Sequence, residues 1–226
     1  IRAKAKIQAK RMVEKMKRIR KKFIASMCLL IAFVLWTLVI RFVDVRAIGP
    51  QGSSVGFAGV NGFVHTLIGV HFSLYNITDW LGLVPIFVCM GFGILGLVQW
   101  VKRKSIGKVD YDILVLGGFY IVTIAVYLFF ESVVINYRPV LINGFLEASY
   151  PSSTTMLVTC VMPAAIMQLE SRIKNKVIGN IVAAIIIVFT AFMVIGRLLS
   201  GVHWFTDIIG GALLSAGLVM LYHSVA

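Results

Sequence analysis

The sequence predicts an all-α integral membrane protein: a bundle of six spanning helices preceded by a basic amphipathic helix. Two observations carry that fold. First, 59% of the residues are hydrophobic and only 14% are charged, more apolar surface than a water-soluble chain of this length can hide. Second, the apolar residues fall into runs at roughly 23–43, 80–101, 111–131, 153–169, 177–196 and 204–222, each near the ~20 residues that cross a hydrocarbon core as a helix. The expected organisation is therefore a leader, 1–22, and a single membrane domain, 23–226.

The leader reads as a helix because Ile1, Ala5, Ala9, Met12, Met16, Ile19 and Phe23 recur at three- and four-residue spacing, with Lys and Arg between them. Eleven of the 22 Lys and Arg residues fall in 1–22, opposed there only by Glu14. Such a helix binds anionic lipid at the inner surface, or it serves only to set orientation. The overall charge of +13 is concentrated in this way and is not a nucleic-acid footprint. The apolar run that follows is too long for an ordinary cleavable signal peptide, and no small-residue cleavage site follows it.

Charge sets the topology. Residues 1–22, 102–110 and 170–176 hold eleven, four and three basic residues, eighteen in all, whereas Arg41, Arg46, Arg138 and Arg197 are the four on the other side. The positive-inside rule then puts both termini in the cytoplasm of a cell-membrane protein, with 44–79, 132–152 and 197–203 outside. Segment 44–79 begins Gly49-Pro50-Gln51-Gly52-Ser53-Ser54 and turns apolar around His65 and His71, as a loop leading into a short interfacial helix does.

Three features resemble motifs but read as packing. Gly91-Phe92-Gly93-Ile94-Leu95-Gly96 spells a dinucleotide fingerprint, yet it lies inside an apolar run and follows no strand. Asn76-Ile77-Thr78 spells a glycosylation acceptor, but Thr78 or Asp79 is expected to cap the second spanning helix. Cys28, Cys89 and Cys160 lie in apolar runs without metal-ligand spacing.

The outer connections carry the chemistry. They hold Asn136-Tyr137-Arg138-Pro139, then Tyr150-Pro151-Ser152-Ser153-Thr154-Thr155, then Gly196-Arg197 followed by His203 and Asp207. Arg presents a bidentate fork to phosphate oxygens, and helix starts near Ser152 and His203 offer free N–H groups to an anion. His203 and Asp207 are four residues apart, so they share a helical face. The carboxylate can orient one ring nitrogen and leave the other to attack phosphorus.

These clusters resemble the type 2 phosphatidic acid phosphatase superfamily, relatives of the vanadium haloperoxidases. That pattern is Lys, six residues, Arg-Pro; then Pro-Ser-Gly-His; then Ser-Arg, five residues, His, three residues, Asp. Arg138-Pro139, Pro151-Ser152 and Arg197, His203, Asp207 match it, and the likeness covers about 80–222. It implies metal-independent, cofactor-free chemistry in which His203 forms a phosphohistidine and Asp207 orients it. Arg138, Arg197, Ser152 and the backbone of Ser153 would hold the phosphate.

The departures are specific. The Lys position is Glu131, the Gly is Ser153, the Ser before Arg197 is Gly196, and the general-acid His is Thr154. A Thr hydroxyl donates no proton near neutral pH, which slows loss of an alkoxide by roughly 10²–10⁴-fold. A diphosphate, whose leaving group is itself a phosphate, escapes that penalty. On a continuous helix Glu131 is expected to share a face with Arg138, two turns away, and to pair with an Arg, face a cationic head group, or repel the phosphate dianion. His65 and His71 either pack at the outer interface, as their spacing of six favours, or replace the acid if that segment folds over the site. The expected function is hydrolysis of a membrane lipid phosphate or, preferably, a polyprenyl diphosphate. The alternatives are a head-group phosphotransferase and a catalytically weak lipid-phosphate binder or transporter. Oligomerisation is compatible with all three.

Overall fold

The computed structural model describes residues 2–226, with side chains from residue 8 onward; the leader positions Ile1 and Ala5 lie outside those described side chains. The chain is all-helical: α1 (Arg2–Phe42), α2 (Ala58–Ile68), α3 (Phe72–Leu81), α4 (Leu83–Arg103), α5 (Tyr111–Ser132), α6 (Ser153–Arg172), α7 (Lys176–Leu199) and α8 (Phe205–Val225). Among the described residues, five stretches are long and apolar enough to cross a membrane: Gln8–Phe42, Phe72–Arg103, Tyr111–Ser132, Lys176–Leu199 and Phe205–Val225. The protein is an integral membrane protein. Its outward faces are apolar, with Ile121, Ile185 and Val188 at 70%, 63% and 68% exposure, the reverse of a water-soluble surface.

The remaining long helix, α6, is where the sequence expects its fourth span. It is less apolar, carrying Thr154, Thr155, Thr159, Gln168 and Glu170, because it is enclosed by protein. Val158, Cys160, Val161 and Ala164 are all within 1% of complete burial, and α6 touches α4, α5, α7 and α8.

Three expectations change. The basic leader and the first span are one uninterrupted helix, α1, since no Gly, Pro or capping residue divides 1–22 from 23–43. Segment 44–79 forms two short helices. Thr78 and Asp79 do not cap α4, because α3 runs on to Leu81 and the Thr78 hydroxyl donates back to the Leu74 carbonyl at 2.9 Å.

Successive long helices alternate in direction. At one end of the bundle the start of α5 meets the ends of α6 and α8: Arg172 pairs with Asp112 at 2.8 Å, and Gln168 donates to the Tyr222 hydroxyl. Arg103 and Asp110 pair there too, and the guanidinium holds the Asp110 carboxyl below its usual range. At the opposite end the Ser152 amide bonds the Asp207 carbonyl, and Thr37 bonds Tyr150. α1 lies closely along α8 because residue 217 is Gly: a Cβ there would come within 2.7 Å of Leu30, and Ser26 donates to the Gly217 carbonyl. All three loops bearing the motifs open on the end away from Arg172.

Candidate functional site

The loop after α5 supplies Arg138. The β-branched run Val133-Val134-Ile135 leaves the helix at Ser132, and the chain turns back through Asn143 and Gly144, both at positive φ, as an Asn-Gly hairpin turn requires. Bridges at Tyr137–Ala148 and Ile142–Phe145 hold the two arms together. The Arg138 amide donates to the Glu147 carbonyl, and its Nε lies 3.1 Å from the Glu147 carboxylate, not aligned as a hydrogen bond. Glu131 therefore does not stack under Arg138 on one helix. It is exposed at the end of α5, and the carboxylate that meets Arg138 is Glu147.

α6 begins where Ser152 accepts from the Thr155 amide at 3.4 Å. Ser152 is completely buried and acts as the cap. The first-turn N–H groups of Ser153 and Thr154 have no intrahelical carbonyl to bond. Both residues are half-buried.

The turn from α7 to α8 carries His203. The imidazole is 3% exposed and Asp207 fully buried, yet Nδ1 and the nearer carboxylate oxygen stand 3.9 Å apart. Ser149 fills the gap. Its hydroxyl lies 3.1 Å from Nδ1 and donates to Asp207 Oδ2, while its carbonyl lies 3.2 Å from the same Nδ1. A carbonyl can only accept, so Nδ1 carries the proton and Nε2 carries the lone pair. Asp207 also accepts from the Trp204 amide at 2.9 Å and from Asn136 at 3.5 Å. It both caps α8 and anchors the chain to His203.

Arg197 ends α7 and is 1% exposed. Its Nη1 reaches the Thr78 hydroxyl and its Nη2 the Asp79 carboxylate, each at 3.4 Å, and the guanidinium stands 4.9 Å from the centre of the Tyr75 ring. Among the described residues, the buried side-chain atoms without a hydrogen-bond partner include His203 Nε2, Arg138 Nε and Nη1, and Arg197 Nε. Buried polar atoms without partners are rare in folded proteins; two such cations with a free imidazole nitrogen make a candidate anion site. Burial first, and then the charges of Arg138 and Arg197, push the His203 pKa well below its usual range.

The structure thus gathers Arg138, Arg197, His203, Asp207 and Ser152, with Ser153 and Thr154 opening α6 beside them. His65 lies with its ring 5.4 Å from that of Trp204, and its Nε2 is unpartnered. His71 is exposed, with Nε2 3.0 Å from the Ile68 carbonyl. Sequence reasoning missed Ser149, Glu147 and Tyr75, quoted Asn136 only as part of its cluster, and read Asp79 only as a helix cap. Asn143-Gly144 was a legible signal for the hairpin, but two extra residues in its first arm shift the register that pairs Arg138 with Glu147. Among the described residues no three His, Cys, Asp or Glu side chains gather as metal ligands do.

An all-helical membrane bundle with a buried His-Ser-Asp chain beside two underused arginines defines a membrane protein with a candidate phosphate site. A family model described as the PAP2 superfamily matches residues 116–226, the stretch that holds Arg138, Ser152, Arg197, His203 and Asp207. The fold resembles the crystal structure of a transmembrane PAP2-type phosphatidylglycerolphosphate phosphatase from Bacillus subtilis, with a TM-score of 0.57. The two are 19% identical over 88% of this chain and 94% of that one. No curated protein sequence matches the chain.

Proposed function

We propose that this protein is a membrane lipid phosphohydrolase working through a phosphohistidine at His203. The observation that supports it most is the set of unpartnered buried nitrogens, His203 Nε2 together with N–H groups of Arg138 and Arg197, whose charges both act on the imidazole. A phosphoryl group supplies what they lack: oxygens for the guanidinium forks and an electrophilic phosphorus for Nε2.

In the first step Nε2 forms a bond to phosphorus, and the bond to the leaving oxygen breaks with its electron pair. The Nδ1 proton stays shared with Ser149, whose hydroxyl is held by Asp207, so the charge that develops on the ring faces a carboxylate through one hydroxyl. In the second step water attacks phosphorus, inorganic phosphate leaves, and the imidazole is regenerated. Thr154 supplies no proton to the leaving oxygen, which favours a lipid or polyprenyl diphosphate over an alkyl monophosphate.

In this reading α6 completes six spans. Both termini lie in the cytoplasm, the site opens outward from the cell membrane, and the basic half of α1 meets anionic lipid. Stretch Gln8–Phe42 is about 52 Å long at 1.5 Å per residue, against a core of about 30 Å, which leaves its basic start beyond the hydrocarbon.

The test is phosphate release from polyprenyl diphosphate, phosphatidate and phosphatidylglycerophosphate by the purified protein, beside His203→Ala. Activity confined to the unsubstituted chain is expected, fastest on the diphosphate. Equal release by both proteins rejects the enzyme, and faster monophosphate hydrolysis rejects the substrate preference.

A further inference from the structure

Among the described residues, every side-chain partner of the Arg197 guanidinium comes from α3, which lies outside residues 116–226. Helix α3 can come this close because residue 196 is Gly. A Cβ there would meet the Thr78 methyl at 2.8 Å and Leu74 at 3.7 Å. A second glycine contact docks the preceding turn: Gly201 has φ +68°, and a Cβ on it would sit 1.9 Å from the Gly69 carbonyl oxygen. The His71 amide adds a bond to the Ser200 carbonyl at 3.0 Å. The α2–α3 hairpin thus seats on the same turn that carries His203.

We propose that Asp79, with Tyr75 and Thr78, positions Arg197 for the phosphoryl group, so that the α2–α3 hairpin is a working part of the site. The inference rests on the reading of this site as a phosphate site. A buried guanidinium at the end of a long side chain has many rotamers and a large cost for standing unpaired. Thr78 and Asp79 hold its two terminal nitrogens on one side, and the Tyr75 ring limits its tilt. Both bonds are long, at 3.4 Å, and Nε has no partner, so the anchor orients the group without saturating it. Asp79 is the half-exposed member of the pair, with 57% of its side chain open, and the α3–α4 junction abuts α6: a Cβ on Gly82 would lie 3.7 Å from the Thr154 methyl. The hairpin therefore borders the position where the resemblance expects a His. Gly196, which departs from the Ser of that pattern, is the substitution that admits it.

The experiment is calorimetric titration of the detergent-purified full chain with inorganic phosphate, which needs no turnover. Asp79→Ala is expected to weaken binding roughly tenfold, the scale of one hydrogen bond to a charged group. Asp79→Asn, which keeps the acceptor oxygen, is expected to recover most of it. Tyr75→Leu, which removes the ring and no charge, is expected to weaken binding severalfold. A carboxylate that merely competes with the anion gives the opposite sign. Tighter or unchanged binding in Asp79→Ala and Tyr75→Leu therefore overturns the proposal while leaving the phosphate site intact. A chain that binds no phosphate before any substitution overturns the site reading and this inference together.

Discussion

His203 Nδ1 and Asp207 Oδ2 lie 3.9 Å apart, beyond hydrogen-bonding distance, and the two are joined through the hydroxyl of Ser149. Their four-residue spacing brings them to one face of the chain, but His203 precedes α8 and Asp207 lies in its first turn. The direct contact that a continuous helix provides is not made, and a residue more than fifty positions earlier completes the chain.

Ser149→Ala is accordingly expected to lower turnover roughly 10- to 100-fold, as loss of a hydrogen bond to a charged partner does. Ser149→Thr, which keeps the hydroxyl, should retain more. Steady-state phosphate release measures both, and an unchanged rate in Ser149→Ala would show that the relay is dispensable.

The depressed pKa of His203 sets a pH dependence. Its imidazole takes up a proton only well below the usual 6.5, so the neutral nucleophile persists as pH falls through that value, and the acid limb of kcat/KM lies lower. The unfolded chain does protonate near 6.5, so this group's contribution to stability is lost as pH drops below that point. Arg138 is one of the charges holding the pKa down; Arg138→Met should move the acid limb upward in a pH–rate profile while weakening substrate binding.

Thr154→His restores an acid at the start of α6. Hydrolysis of an alkyl monophosphate should rise at least roughly tenfold relative to that of a diphosphate, the lower range of what a positioned acid contributes. Parallel assays of the two substrates read the ratio, and an unchanged ratio would remove the leaving group from the account of specificity.

Gly201→Ala forces a side chain into φ +68° and against the Gly69 carbonyl. The left-handed backbone alone costs roughly 1–2 kcal/mol, and the clash adds to it. The thermal midpoint in detergent should fall and activity with it. Gly118→Ala in α5, where a Cβ meets nothing within 4 Å, is the control and should leave the midpoint unchanged or raised.

The parts of the site legible in the sequence are those whose chemistry travels with the residue. Two Arg, a Pro-Ser helix start and a His with an Asp four residues on are local patterns, and the helix starts at Ser152 and before Asp207 follow from capping residues. The partners were not legible because none is local to the group it serves. Ser149 reaches His203 across 54 positions and Asp79 reaches Arg197 across 118. Glu131 misled for the complementary reason: its register with Arg138 assumed a helix that the β-branched run ends at Ser132.

By itself the sequence determined the membrane setting, the long helices and the residue types at the site. Hydropathy, length and capping act over one helix at a time, and burial in lipid demands them of each helix separately. Tertiary structure alone decided that α1 runs unbroken through the leader, that α6 is the enclosed helix, and which side chains complete His203 and Arg197. Those outcomes depend on how closely helices approach. That distance is set by single glycines, Gly196 against α3 and Gly217 against α1, whose meaning appears only when the opposing surface is in place.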